Sequence, residues 1–376
     1  MEHYLDNSAT TRVCPEAAEA ALDAMLNTYG NPSSTYTKGR EAKKLLDRSR
    51  KYVAAALGCE PAELVFTSCG SESDNWALLG GAEAMQRKGR HIITSMVEHD
   101  AIRNTAAELE RRGYEVTFLR PDSTGRIDPE AVRAALRPDT ILVSLMLVNN
   151  ETGAVTDISA VSRILKRENS PALLHTDAVQ GFLKLDFTAK SLGADLVSIS
   201  GHKIHAPKGV GALYIRRGLR LRPFILGGAQ EDGRRAGTEA MPQIAAFGEA
   251  ARIGKEGLHN NISHMRVLKA RLMDQLPGVI PDIRVLPTDA PHILSVSLPG
   301  FRSEVLMNFL EAREIYVSRS SACKKGARSH VLEAIGMEPR LIDGALRIGL
   351  CRYNTEEDID ALVQALGDAY RTLAHR

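Results

Sequence analysis

Seven short apolar runs between residues 62 and 217, alternating with helix-type stretches, predict an α/β fold built on a mainly parallel sheet. The runs are ELVFTS, HIITS, EVTFLRP, TILVSLMLVNN, ALLHTD, DLVSIS and GVGALYIRR. Near-continuous apolarity without period-2 alternation is what strands covered by helices on both faces look like. The pieces between them, such as SDNWALLGGAEAMQRKG and DPEAVRAALRP, have helical spacing with Gly or Pro stops. The Gly-rich stretch LGGAQEDGRRAGTEAMP has no strong period and reads as an ordered loop. A helical segment then runs to a Pro-punctuated break near residues 277–291. Beyond it the order changes to HILSVSL, SEVLMNFLEAR, EIYVSR, SHVLEAIG and ALRIGLCRY, which reads as a smaller α+β unit. It closes on a helix whose start, TEED, carries a Thr with Asp three residues on, a loose capping box.

At 376 residues the chain exceeds one average domain, so a large domain with a smaller one is expected. The 48 basic residues nearly balance the 46 acidic ones and are scattered, which points away from nucleic acid and anionic membranes as partners. No apolar run approaches the roughly 20 residues of a membrane span, and MEHYLDNSATTR lacks the pattern of a secretory signal, so a cytoplasmic location is expected. Five cysteines, at 14, 59, 69, 323 and 351, are widely spaced without a CxxC pair or a zinc-type cluster. A reducing compartment and no metal site follow.

Polar residues stand where several of the apolar runs end. In VFTSCGSESDNWALL, Gly70 and Ser71 lie between strand and helix, where backbone N–H groups attract anions. Singly, such a turn is an ordinary helix cap. Neither GxxxxGK nor GxGxxG is present, so a nucleotide is not the favoured phosphate bearer. His99 follows HIITS and could stack on a planar ring; as a bland alternative it is a water-exposed helix start. Asn150 ends TILVSLMLVNN, in good turn chemistry. Asp177, with Gln180 three residues on, sits just past ALLHTD, at the strand end where open α/β sheets bind ligands. Lys203 follows DLVSIS after Ser200 and His202, 26 residues beyond Asp177, or about one strand-helix-strand unit. A lysine in a low-dielectric site loses its charge and becomes a nucleophile toward carbonyls. Together, a phosphate cradle, a carboxylate and a reactive lysine match what pyridoxal 5′-phosphate requires.

The motifs YLDNSATT, NPSS, VFTSCGSESDN, VEHDA, VNNETG, HTDAVQ, SISGHK, RRAGT, SSAC and LRIGLCRYNTEED, in order from residue 4 to about 365, resemble the cysteine desulfurases. These are the NifS/IscS-like branch of fold-type I, class V aminotransferase-like pyridoxal phosphate enzymes. The resemblance implies a large cofactor-binding domain over 15–255 with a seven-stranded sheet, and a smaller domain formed by 1–14 and 256–376. It implies that Lys203 bonds the cofactor aldehyde, that Gly70, Ser71, Ser200 and His202 hold its phosphate, and that Asp177 partners the ring nitrogen. Gln180 matches the group beside the ring hydroxyl, and His99 the stacking, proton-moving histidine. Asn150 and Arg347 match the holders of the substrate carboxylate, for which a guanidinium fork suits both oxygens. Thr238 matches a threonine that reaches the phosphate of a neighbouring subunit, which implies a homodimer; Arg235, in the same loop, is expected to help order that interface.

By the same resemblance Cys323, in SRSSACKKGARS, takes sulfur from L-cysteine as a persulfide, releases L-alanine, and passes the sulfur to an acceptor protein for iron–sulfur clusters or for tRNA or cofactor thiolation. Lys324 and Lys325 beside it favour the thiolate. Three departures from the family pattern stand out: Ser318, Arg319 and Ser320 before SAC with only Lys324–Arg328 leading into the next helix, Cys69 in place of Gly, and Ala236 in place of Ser. The alternatives are a selenocysteine lyase or another class V aminotransferase, both of which would keep Lys203 and Asp177, and a noncatalytic scaffold, against which the intact Lys203 argues.

Overall fold

The computed structural model describes residues 2–319 and 328–373. In chain order its strands are β1 His3–Tyr4, β2 Leu64–Thr67, β3 His91–Ser95, β4 Glu115–Leu119, β5 Thr140–Ser144, β6 Leu173–Asp177, β7 Leu196–Ser200, β8 Gly211–Ile215, β9 Arg284–Val285, β10 Ile293–Ser297, β11 Ile315–Tyr316, β12 Ser318–Arg319 and β13 Ala345–Gly349.

The main sheet has the order β2-β8-β7-β6-β5-β3-β4. Only β8 runs against its neighbours, β2 and β7, so the seven-stranded, mostly parallel α/β architecture expected of a fold-type I enzyme is present. Six of the strands are buried along their whole length, and the edge strand β4 is largely exposed or half-buried, which is where its Glu115 and Thr117 belong. β5 stops at Ser144; the apolar LMLV beyond it continues as buried chain toward Asn150, with the Leu145 and Leu147 N–H groups donating to the His175 and Asp177 carbonyls and Val148 bridging Val155. Apolarity marks burial there and cannot by itself mark a ladder. The helix Gly70–Met85 packs on the sheet with Trp76 fully buried and its indole N–H donating to the Arg222 carbonyl at 2.8 Å.

A second apolar core gathers Leu5, Met265, Leu272, Leu294, Leu346, Ile359 and Leu366 around a separate sheet of order β12-β13-β10-β9 and the helix Glu356–Thr372. The capping box at that helix is closed in both directions, Thr355 with Asp358. Pro277 sits in the last turn of its helix, Leu258–Val279, which ends two residues beyond it. The start of the chain crosses into this core. Asn7 N–H donates to the Gly349 carbonyl at 3.1 Å, and a side chain on Gly349 would come within 2.6 Å of the Ser8 nitrogen, so the crossing requires glycine. That contact lays residues 6–9 beside β13 and below Lys203. Among the described residues, no helix is long and apolar enough to cross a membrane.

Candidate active site

A cavity of about 490 Å³ opens at the carboxyl ends of β2, β3, β5, β6 and β7. Its lining brings together Gly70, Ser71, His99, Asn150, Asp177, Gln180, Ser200, His202, Lys203 and Arg347. Parallel strands explain the convergence. Each side chain leaves its own strand at the same end, so residues more than a hundred positions apart meet in one crevice.

β6 and β7 pair with Asp177 opposite Ser198, and a single 3₁₀ turn, Gly201–Lys203, then carries the lysine into the cavity. The amine does not face bulk water: Nζ donates to the carbonyls of Ser8 and Ala9, at 2.6 Å each. Burial pushes its pKa down to about 7, and the nearby Arg347 charge pushes the same way. Asp177 is buried and accepts from the Val179 N–H at 2.8 Å. Burial raises its carboxyl above the usual range, while the His99 and Lys203 charges pull it back.

Gly70 opens the helix Gly70–Met85, and a Cβ there would meet Val179 Cγ2 at 2.8 Å. Ser200 Oγ is buried in the cavity wall with no hydrogen-bond partner among the described residues. His202 shares a 3.2 Å hydrogen bond with Thr10 Oγ1, and burial, reinforced by Lys203, depresses its pKa to about 4. It is therefore a neutral imidazole. Gln180 donates from Nε2 to the Ser8 carbonyl at 2.8 Å. His99 is exposed at the cavity wall and caps the helix Asp100–Arg111, its Nδ1 accepting from the Ala101 N–H. Cys69, with φ of −173°, is in extended backbone that needs no glycine.

Arg347 is buried, not a surface ion pair. It donates from Nη2 to Asp6 Oδ1 and from Nη1 to the Asn150 carbonyl, both at 3.0 Å. Thr238 is exposed and does not line this chain's cavity. Arg235 makes a two-pronged contact with Glu72 in the first turn of the helix that Gly70 starts, at 2.9 and 3.2 Å. Cys323 lies outside the described residues; the flanking Ser318 pairs with Arg347 across β12 and β13, and Arg328 lines the cavity.

Several cavity residues were not singled out in the sequence. Glu98 is buried and pushed up to about 8 by burial, with Oε1 accepting from Ser95 Oγ and from the Met146 N–H. Asp74, behind Asp177, is driven well above the usual range by burial and by the Asp177 charge. Glu151 is raised to about 7 by burial, and its Oε2 accepts from Ser329 Oγ. Asp6 holds Arg347. Each stands inside a motif already quoted, and Asp74, Glu98 and Glu151 lie within a few residues of a predicted one, but nothing local marks any of the four as a site residue.

The model of the aminotransferase class-V family matches residues 3–362. The chain belongs to the class-V aminotransferase family. Within it, the chain is 41% identical to a cysteine desulfurase of Nostoc sp. (strain PCC 7120) over 98% of this chain and 93% of that protein. It is 42% identical to cysteine desulfurase IscS of Methanosarcina thermophila, over 98% and 92%. A solved NifS-like protein superimposes with a TM-score of 0.94 at 39% identity, covering 99% of this chain and all of that one. This class-V aminotransferase thus falls among the cysteine desulfurases, enzymes that depend on pyridoxal 5′-phosphate.

Proposed function

We propose that the chain removes sulfur from L-cysteine, leaving it as a persulfide on Cys323 and releasing L-alanine, with Lys203 as the central base. The observation that carries this reading is a half-buried lysine, its amine held by the Ser8 and Ala9 carbonyls and poised near neutrality, beside a buried aspartate in a cavity that also holds Arg347.

The residues present fit pyridoxal 5′-phosphate. The unpartnered Ser200 hydroxyl, the neutral His202, Ser71 and the backbone opening at Gly70 form a donor set suited to a phosphate. In this reading Asp177 would partner the ring nitrogen, Gln180 would sit beside the ring hydroxyl, and His99 would stack on the ring. Bound there, the cofactor supplies an aldehyde for the amine and a ring that accepts the electron pair freed at the substrate Cα. Arg347 and Asn150 hold the substrate carboxylate. Lys203 Nζ then takes the Cα proton, which it can do only as a neutral amine, the form its burial favours. The Cys323 thiolate attacks the substrate sulfur, the carbon–sulfur bond breaks, and the carbon skeleton takes up protons to leave as alanine. Support for Cys323 comes from its flanks: the chain leaves beside Arg347 and returns at Arg328 on the cavity wall.

The wider reading is a cytoplasmic homodimer in which Thr238 serves the second copy's phosphate site. Exposed Leu22, Met25, Leu26, Tyr29 and Tyr36 support a covered face. The persulfide goes to an acceptor protein, in iron–sulfur cluster assembly or in tRNA or cofactor thiolation. We divide the chain into 15–255, and 1–14 with 256–376, because the seven-stranded sheet falls within the first and the four-stranded sheet and the β1-β11 pair fall within the second. The test is to incubate cofactor-loaded protein with L-cysteine and reductant: alanine and sulfide appear in equal amounts, and Cys323→Ala abolishes both while leaving the cofactor absorbance. A requirement for a keto acid, or sulfide at the parental rate from Cys323→Ala, overturns the assignment.

A further inference from the structure

Among the cations lining the cavity, Lys203 and Arg347 are both contacted by one short segment of chain. Asp6 Oδ1 accepts from Arg347 Nη2 at 3.0 Å, and two and three residues later the carbonyls of Ser8 and Ala9 accept from Lys203 Nζ. The segment is fixed from behind. Gly349 N–H donates to the Leu5 carbonyl at 2.6 Å, and Asn7 Nδ2 donates to the Gly349 carbonyl and to Asn354 Oδ1. With Nη1 on the Asn150 carbonyl and Nη2 on Asp6, Arg347 keeps Nε buried and unpartnered among the described residues. Its orientation is therefore set by two fixed acceptors, leaving a donor free for an incoming anion.

We propose that Asp6 is a positioning residue that orients the Arg347 guanidinium and is the counter-charge shared by Arg347 and Lys203 until the α-carboxylate of an amino acid occupies Arg347. The groups facing Lys203 make the balance explicit. Arg347 on β13 and Lys184 behind β6 disfavour its proton; Asp6 on the N-terminal segment and Asp177 on β6 favour it. Removing the Asp6 charge leaves the two cations opposed with one carboxylate fewer, so the amine of Lys203 gives up its proton more readily. The inference deepens the function proposed above and rests on it for the identity of the anion, while its electrostatic half needs no substrate.

The test compares Asp6→Asn, Asp6→Glu and Asp6→Ala. In cofactor-free protein, the pH at which Lys203 becomes reactive to acetic anhydride is followed by peptide mass spectrometry, with the exposed Lys208 as internal reference. Asp6→Asn moves the Lys203 midpoint down by roughly one unit and leaves Lys208 in place, while Asp6→Glu stays close to the parent. In loaded protein, Asp6→Ala raises KM for L-cysteine about tenfold more than it changes kcat, since the lost contact orients a binding group. A Lys203 midpoint unmoved in Asp6→Asn, or moved equally with Lys208, overturns the proposal; so does a KM for Asp6→Ala equal to the parent's. Should Asp6→Ala fail to fold by circular dichroism, Asp6→Asn decides alone. Alanine production with no shift in Asp6→Asn sinks this inference only. A shift without alanine production sinks only the desulfurase reading.

Discussion

The two ends of the main sheet each carry a large depression, and they are built oppositely. The depression at the amino ends of β6 and β7 is the roomier, about 710 Å³ against about 490 Å³, and is lined by Cys59, Glu63, Lys166, Asp195, Tyr214 and Arg216. Asp195 and Glu63 are satisfied locally: Arg216 Nε donates to Asp195 Oδ1, Asp195 Oδ2 accepts from the Leu174 N–H, and Glu63 accepts from the Arg217 N–H. At the carboxyl ends, by contrast, Ser200 Oγ, Asp74 Oδ1, Glu98 Oε2 and Arg347 Nε are buried with no partner among the described residues. Buried polar atoms left unpaired are costly. Volume does not distinguish a site from a dent, whereas unspent hydrogen-bonding capacity held in place by the fold does.

Substitutions can break that contrast, beginning with the largest expected effect. Lys203→Ala removes the amine itself and should lower alanine formation by about 10⁴-fold, with loss of the visible cofactor absorbance. Asp177→Asn keeps the shape and the contact with Val179 but loses the charge; a fall of roughly 10²–10³-fold in kcat is expected, with cofactor still bound.

Glu98→Gln sharpens the comparison through stability instead of rate. The folded-state pKa of Glu98, about 8, lies above the unfolded carboxylate value, so the folded chain holds a proton that the unfolded chain releases. Stability is therefore eroded as pH rises from about 4.5 to about 8. The amide variant should melt with the parent near pH 4.5 and about 2 °C or more above it at pH 8. The smallest effect belongs to the other end of the sheet. Lys166→Ala, in the roomier depression, should change kcat/KM for L-cysteine by less than about twofold, as for a surface substitution away from a site.

How far this was legible from sequence follows the same division. Strand runs announced themselves because burial on two faces selects apolar residues throughout, and residues at the ends of five of the seven runs were ones the cavity collects: Gly70, His99, Asn150, Asp177, Lys203. Asp6, Asp74, Glu98 and Glu151 were not legible as site residues. Their chemistry depends on what lies opposite, and nothing local to YLDNSATT says that Asp6 will meet Arg347 on β13, 341 residues away. The apolar run at 140–150 outlasts β5, which ends at Ser144, because the buried chain beyond it is as apolar as the strand. The Pro-punctuated break read near residues 277–291 does follow the helix, which ends at Val279 with Pro277 in its last turn, where there is little helix left to break.

Reduction of the cofactor-loaded protein with borohydride, followed by peptide mapping, tests the central claim that one buried amine at this end of the sheet carries the chemistry. The account predicts the pyridoxyl mass on the peptide containing Lys203 and nowhere else. Labelling of Lys184 or Lys208 in its place, or of no lysine at all in protein that still turns over cysteine, would contradict it.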